Sequence, residues 1–399
     1  MKHSSSLSQQ FEEINELLEK TRQYWQILPF QHLEHPWKND PALSQFLASL
    51  DTEYIEYLDE HDELLREKIS EFLPFSLDVI APLHRTDGRL DDVPVWFKAG
   101  IKGRKWLQIE KFSSQVPNNG SSVLEWCAGK GHLGRALGLT QQRSITSLEW
   151  QQSLCEQGKL LADKYQVDQR FVQGDVYAPS TKLLLQPKQH VIALHACGDL
   201  HVELFKQASL ANSQSLTVAP CCYHLINDET YQPLSLAAQR SELQLNKRDL
   251  ALSMAQTVVA TQRERKHRAT EIAWRLGFDL LQREIRNDDS YLPLPSIRQS
   301  MLTSHFSDFC RWACEAKSLP FPGDVDIEKY QQLGWQRRKT NAQIELVTHA
   351  FRQLLERWLL LDRALFLVEQ GYDVTLSEFC DKGVTPRNAL IKAERKAKH

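Results

Sequence analysis

Residues 121–134 read Ser-Ser-Val-Leu-Glu-Trp-Cys-Ala-Gly-Lys-Gly-His-Leu-Gly, and no other stretch restricts the fold as much. A short apolar run (Val123, Leu124) reaches the acidic Glu125. A turn of small residues follows (Cys127, Ala128, Gly129, Gly131), and a helical pattern starts at His132. Strand, small-residue turn and helix in that order make a βα unit. Its backbone can pass close to a bound nucleoside, and the acid at the strand end can hold a hydroxyl or an ammonium.

The pattern downstream extends this unit into a sheet. Strands are predicted over 122–126, 144–149, 169–173, 190–195 and 215–219, with helices over 132–139, 151–165 and 200–211. Strands alternating with helices imply a parallel sheet covered on both faces. Near the end of the chain, Tyr372–Phe379 and Asn388–Ala393 read as two more strands paired as a hairpin around Gly383 and Pro386. Residues 7–95 carry apolar residues at helical spacing, 96–120 read as a connector, 232–360 is helical again, and one strongly apolar helix is expected over 344–368. The expected organisation is a helical N-terminal region (1–95), a split sheet domain (96–228 and 346–399) and a helical insertion (229–345).

In a doubly wound sheet, ligands sit beyond the carboxyl ends of the strands. The first such end gives Glu125 and the Gly129/Gly131 turn, the second Glu149-Trp150, and the third Gly174-Asp175-Val176. The fourth gives His195-Ala196-Cys197-Gly198-Asp199, and the fifth Pro220-Cys221-Cys222-Tyr223-His224. Glu149 lies 24 residues after Glu125, close to the offset of a ribose-binding acid. A nicotinamide dehydrogenase would share the first two features, but it does not call for Asp175 or for cysteine-rich fourth and fifth ends. S-adenosylmethionine does fit: Glu149 for the ribose hydroxyls, Asp175 for the adenine amino group, Glu125 for the methionine ammonium.

With these residues the chain resembles the class I methyltransferases. More narrowly, it resembles a methyltransferase-like domain family with HxCG or HxCD after the fourth strand and PCCxH after the fifth. Thr385-Pro386-Arg387-Asn388 is similar to that family's PRN motif, and Gly103-Arg104-Lys105-Trp106 stands where relatives carry a basic PKK-type motif. The resemblance implies an α/β fold, a Rossmann-like class I methyltransferase sheet with a helical N-terminal region and a helical insertion closing over the acceptor. It implies S-adenosylmethionine as cofactor, held by Glu125, Cys127, Ala128, Gly129, Gly131, Glu149, Trp150, Gly174, Asp175, Val176 and His195. The acceptor it suggests is RNA, with tRNA among the choices. A small molecule or a protein side chain is the alternative, and a catalytically idle cofactor-binding scaffold is another.

Methyl transfer needs alignment of acceptor, carbon and sulfur, and a base where the acceptor carries a proton. Asp199 and His195 are the candidates, with Tyr223 and His224 opposite, or else all are satisfied structural groups. Cys197 and Cys221 or Cys222 fit the nucleophile positions of a cytosine-5 mechanism, and equally the role of small buried packing residues. No metal site is expected, because adjacent cysteines chelate poorly and CxxC spacing is absent. Cys310 and Cys314 read as core.

Arg104 and Lys105, the run Arg263, Arg265, Lys266, His267, Arg268, the cluster Arg337, Arg338, Lys339, and Arg387 could track RNA phosphates if they share a face. The alternative is a set of solvated helix faces balanced by acids. Trp274, Trp312 and Trp335 read as core by their helical spacing. The net charge of −3 excludes a global polycation, so any nucleic-acid contact must be local. Eight cysteines without a framework pattern, no apolar leader and no long apolar run predict a reduced, cytoplasmic setting without membrane contact. The oligomeric state is not legible.

Overall fold

The computed structural model describes residues 2–86, 88–90, 93–255 and 262–396. Residues 256–261, inside the expected helical stretch, and 397–399, at the end of the expected sheet domain, lie outside them. Two compact units are present. One contains Met1–Lys20, Val79–Gln256 and Arg352–His399, and the other contains Thr21–Asp78 and Thr257–Phe351.

The first unit carries the sheet. Its strands are β1 (His84–Arg85), β2 (Val123–Trp126), β3 (Ile145–Glu149), β4 (Gln169–Gln173), β5 (His190–Ala193), β6 (Ser215–Val218), β7 (Tyr372–Glu378) and β8 (Ala389–Arg395). They lie in the order β1-β7-β8-β6-β5-β2-β3-β4. Only β8 runs antiparallel to its neighbours, β6 and β7. The chain steps from β2 outward to β3 and β4, then returns to place β5 on the other side of β2. That reversal opens a crevice beyond the carboxyl ends of β2 and β5, where doubly wound folds bind their ligands.

Alternation along the strands builds a core on each face. Leu124 and Trp126 of β2, Val191 and Ala193 of β5, and Leu216 and Val218 of β6 pack with Leu204, Phe205 and Ala208 of the helix Asp199–Leu210. Leu360, Ala364 and Leu367 of the helix Arg352–Glu369 close that layer. Val123, Ile145, Ile192 and Leu194 face the other way, onto Leu133, Ala136 and Leu137 of the helix His132–Gln141 and onto Trp106, Ile109 and Phe112. Each fully buried aliphatic side chain of this kind contributes about 1.5–3 kcal/mol.

Three expectations are corrected. The segment read as a connector contains the helix Gly103–Ser113, whose apolar face is Trp106, Ile109 and Phe112. His84–Arg85 pair in parallel with Ser377–Glu378, so a short edge strand stands inside a region read as helical. The single apolar helix expected over 344–368 is two helices, Ile327–His349 and Arg352–Glu369, parted at Ala350–Phe351 without a Gly or Pro to signal the break.

The second unit is helical. Its core gathers Trp274, Phe278, Phe306, Phe309, Cys310, Ala313, Cys314 and Tyr330. Gly334 lets the helix Ile327–His349 approach Gln262–Arg286 closely: a Cβ there would lie 2.2 Å from the Ala273 carbonyl oxygen. No helix among the described residues is long and apolar enough to cross a membrane.

Candidate active site

Strand alternation decides where the first acid points. Glu125 sits between Leu124 and Trp126, so its side chain turns to the opposite face, under the helix His132–Gln141. There its carboxylate accepts from Ser147 Oγ at 2.7 Å, and a Cβ on Gly134 would lie 2.5 Å from it. Burial pushes its pKa up to about 7, against the lowering effect of Ser147, the Gly134 N–H and Arg135. The buried Arg135 donates to the carbonyls of Lys130 and Gly158 and so pins the turn that follows β2.

That turn is left-handed at Cys127 (φ 56), Gly129 (φ 59) and Gly131 (φ 66). Glycine takes this conformation freely, whereas at Cys127 it costs about 1–3 kcal/mol. Glu149, closing β3, holds the turn: one carboxylate oxygen accepts from Gly129 N–H at 2.8 Å and the other from Gln151 N–H at 2.9 Å. A Cβ built on Gly129 meets nothing within 4 Å, so the space above the turn is open. Ala128 N–H donates to Leu148 O and Gly174 N–H to Glu149 O, which ties the ends of β2, β3 and β4 together. Trp150 leaves 75% of its surface exposed beside them. Asp175 is exposed and caps Tyr177 N–H at 3.0 Å, while Val176 is buried. The open turn, the adjacent carboxylate, the exposed indole and the further acid fit an adenosyl group carrying a cation.

The ends of β5 and β6 meet through a bridge between Cys197 and Cys221, and Gly198 N–H donates to Cys221 O. His195 and Cys221 open onto a cavity of about 100 Å³ lined also by Gln108, Leu194, Phe379, Thr385 and Arg387. The helix Gly103–Ser113, two strand ends and the terminal hairpin therefore converge on one spot. Desolvation and then Lys105 push the His195 imidazole below its usual range, with Arg387 adding to this and Cys222 opposing it, which favours the neutral form. Cys197 Sγ lies 3.5 Å from Cys221 Sγ. The thiols titrate as a group: hydrogen bonds with Cys197 and Cys221 pull Cys222 far down, and Arg387 adds to this.

The other predicted residues are distributed differently. Asp199 faces away from that cavity: its carboxylate accepts from Asn227 N–H at 2.7 Å and lines a second cavity of about 210 Å³ with Tyr177 and Asn227. Tyr223 is buried, with Arg363 4.9 Å from its ring centroid. His224 Nδ1 is buried with no hydrogen-bond partner among the described residues. Arg104 and Lys105 are exposed on the helix Gly103–Ser113. Arg263, Arg265 and Lys266 belong to the second unit. There Arg265 pairs with Glu60 at 3.4 Å in a cleft that also holds Glu56, Asp59 and Glu345. Arg337 is buried against Asp279 and Phe30 O, so it does not serve a phosphate track. Trp274 is core, but Trp335 is 41% exposed and packs against Arg338.

Sequence reasoning missed Gln108, Tyr177 and Asn227, none of which carries a motif of its own, whereas Thr385 stands in the stretch that also holds Arg387. It also missed the buried support beneath the β5 turn. His201 donates from Nδ1 to Ala196 O and accepts at Nε2 from Arg363 Nε at 2.8 Å. Arg363 in turn donates to Tyr231, which donates to Asp362.

Sheet order and crevice define a doubly wound, Rossmann-like α/β domain whose switch point is closed by Glu149. Residues 104–229 match the family model described as "Methyltransferase domain". That match covers about a third of the chain, and the segment is similar to methyltransferase domains. Similar solved structures include a precorrin-6y C5,15-methyltransferase from Geobacter metallireducens (11% identity, 30% of this chain and 63% of that one, TM-score 0.26). A TehB-like S-adenosylmethionine-dependent methyltransferase from Corynebacterium glutamicum aligns at 12% identity over 28% of this chain and 60% of its own, with TM-score 0.23. Pyrococcus horikoshii TYW2 in complex with MeSAdo aligns at 11% identity over 30% of this chain and 43% of its own, with TM-score 0.25. This chain thus spans less than two thirds of each of those relatives, and overlaps this small decide nothing about the reaction.

Proposed function

We propose that the protein transfers a methyl group from S-adenosylmethionine to RNA, with tRNA the first acceptor to test. When bound, the cofactor supplies a methyl group activated by its sulfonium. The chain's own residues bind and orient. Glu149 takes the ribose hydroxyls while keeping Gly129 in place, with Cys127, Ala128 and Gly131 shaping the turn. Asp175 accepts from the adenine amino group, and Gly174 and Val176 fix its backbone. Trp150 offers its exposed ring to the base. Glu125 acts beneath the turn, through the backbone it supports. His195 accepts a proton from the acceptor.

The observation that carries the RNA reading is the cation rim. Arg387 lines the same cavity as His195 and Cys221, and Lys105 acts electrostatically on His195 from the facing helix. With Arg104 they would neutralise phosphates flanking the target nucleotide. Arg263 and Lys266, in the other unit, are exposed, whereas Arg265 is engaged with Glu60.

The test compares modified nucleosides in total RNA from cells with and without this gene. A methylated nucleoside that vanishes on deletion, and returns with the wild-type gene but not with a Lys105→Glu/Arg387→Glu variant, is the expected result. An unchanged nucleoside profile overturns the RNA acceptor and leaves a small molecule or a protein side chain.

A further inference from the structure

Cys197 is remote in sequence from the adjacent pair Cys221 and Cys222. Cys197 follows β5 and the adjacent pair follows β6, so the sequence gives no chelating spacing. The fold supplies it. The isolated bridge between Cys197 and Cys221 lays the two turns side by side, and the three sulfur atoms all lie within 4.8 Å of one another. The closest pair is separated by 3.5 Å. Sulfurs around a tetrahedral zinc ion, each about 2.3 Å from the metal, stand about 3.8 Å apart. The 3.5 Å pair is within a few tenths of an ångström of that spacing, and the 4.8 Å bound on the rest is within about 1 Å of it.

Two further features point the same way. Cys222 holds φ 51, a left-handed conformation that costs a non-glycine residue about 1–3 kcal/mol. A simple packing role does not call for it, but it brings the second thiol of an adjacent pair round to the first, which an extended strand would aim at the opposite face. Arg387 lines the same cavity as Cys221, and its cation offsets the surplus negative charge of three thiolates around a divalent ion.

The geometry points to a three-thiolate site for a soft divalent cation of the zinc class, made by Cys197, Cys221 and Cys222 at the ends of β5 and β6. Thiolates select such ions over magnesium or calcium. Three protein ligands leave a fourth position for water or an acceptor heteroatom, as in open rather than closed zinc sites. The ion would also bind the two turns to each other at the place where the acceptor enters. This site takes its location from the methyl-transfer reading but not its evidence, since the sulfur positions stand whatever the domain methylates.

Cadmium titration of the full chain, reduced and free of chelators, tests it by the sulfur-to-metal charge-transfer absorption. One equivalent should bind with that absorption. Cys197→Ser and Cys222→Ser should each weaken binding at least tenfold, and the triple serine variant should lose the band, while Cys310→Ser leaves it intact. S-adenosylhomocysteine calorimetry on the same samples reports whether each variant is folded at the neighbouring crevice. No band in the wild type, or a band that survives in the triple variant, overturns the site. Cadmium binding without S-adenosylhomocysteine binding in the wild type would instead count against the methyl-transfer reading and leave the thiolate site standing.

Discussion

At the scale of single residues, the two glutamates that end β2 and β3 have opposite surroundings. Glu149 spends both carboxylate oxygens on backbone N–H groups at the rim of the turn. Glu125 is 3% exposed and shifted up to about 7 by burial. An acid whose folded pKa lies above its unfolded value of 4.5 stabilises the fold relative to the unfolded chain only while it stays protonated. The unfolded chain releases that proton first, so stability falls as pH rises from about 4.5 through about 7. Glu125→Gln removes the proton but keeps the acceptor for Ser147. The variant should therefore gain roughly 3 kcal/mol over the wild type between pH 4.5 and 7.5. Urea unfolding at both pH values measures the difference. A difference that does not change with pH would show that Glu125 is not a buried, protonatable group.

At the scale of elements, the strands and helices flanking the motifs were legible because each is short, strongly patterned and bounded by turn residues. β2 to β6 fall within the predicted stretches, and the terminal hairpin pairs as expected. The helix Gly103–Ser113 was legible in principle, since Trp106, Ile109 and Phe112 recur every three residues, but its glycine start and basic surface read as a loop. β1 was not legible, because two residues carry no period. The break at Ala350–Phe351 was not legible either, because tertiary packing rather than Gly or Pro makes it. The strand ends gave the acids and thiols, but not their directions. Asp199 turning to Asn227, Tyr223 to Arg363 and the thiols to each other are all set by partners remote in sequence.

One element-scale junction is open to direct test. Gly198 (φ 55) starts the helix Asp199–Leu210, and a Cβ there would lie 2.0 Å from the Leu225 carbonyl oxygen. Both the backbone conformation and the close approach forbid a side chain. Gly198→Ala should cost about 3 kcal/mol in chemical denaturation. A loss under about 1 kcal/mol would mean the β5 and β6 turns do not pack this closely.

At the scale of the whole molecule, charge is arranged locally rather than globally. The net charge is −3, yet Lys105 and Arg387 bring positive potential to the His195 cavity. In the second unit several cations meet acids: Asp279 lies buried between Arg283 and Arg337, and Arg265 faces Glu60. The methyl-transfer account therefore rests on the sheet's own unit, where the switch-point crevice and the acid-closed turn coincide.

Isothermal titration of S-adenosylhomocysteine into the full chain tests that account most directly, with the wild type and Glu149→Ala compared side by side. The account predicts one site in the wild type and at least tenfold weaker binding in the variant, a loss of about 1.4 kcal/mol or more. Equal affinity in the two proteins, or no binding to the wild type, would contradict it.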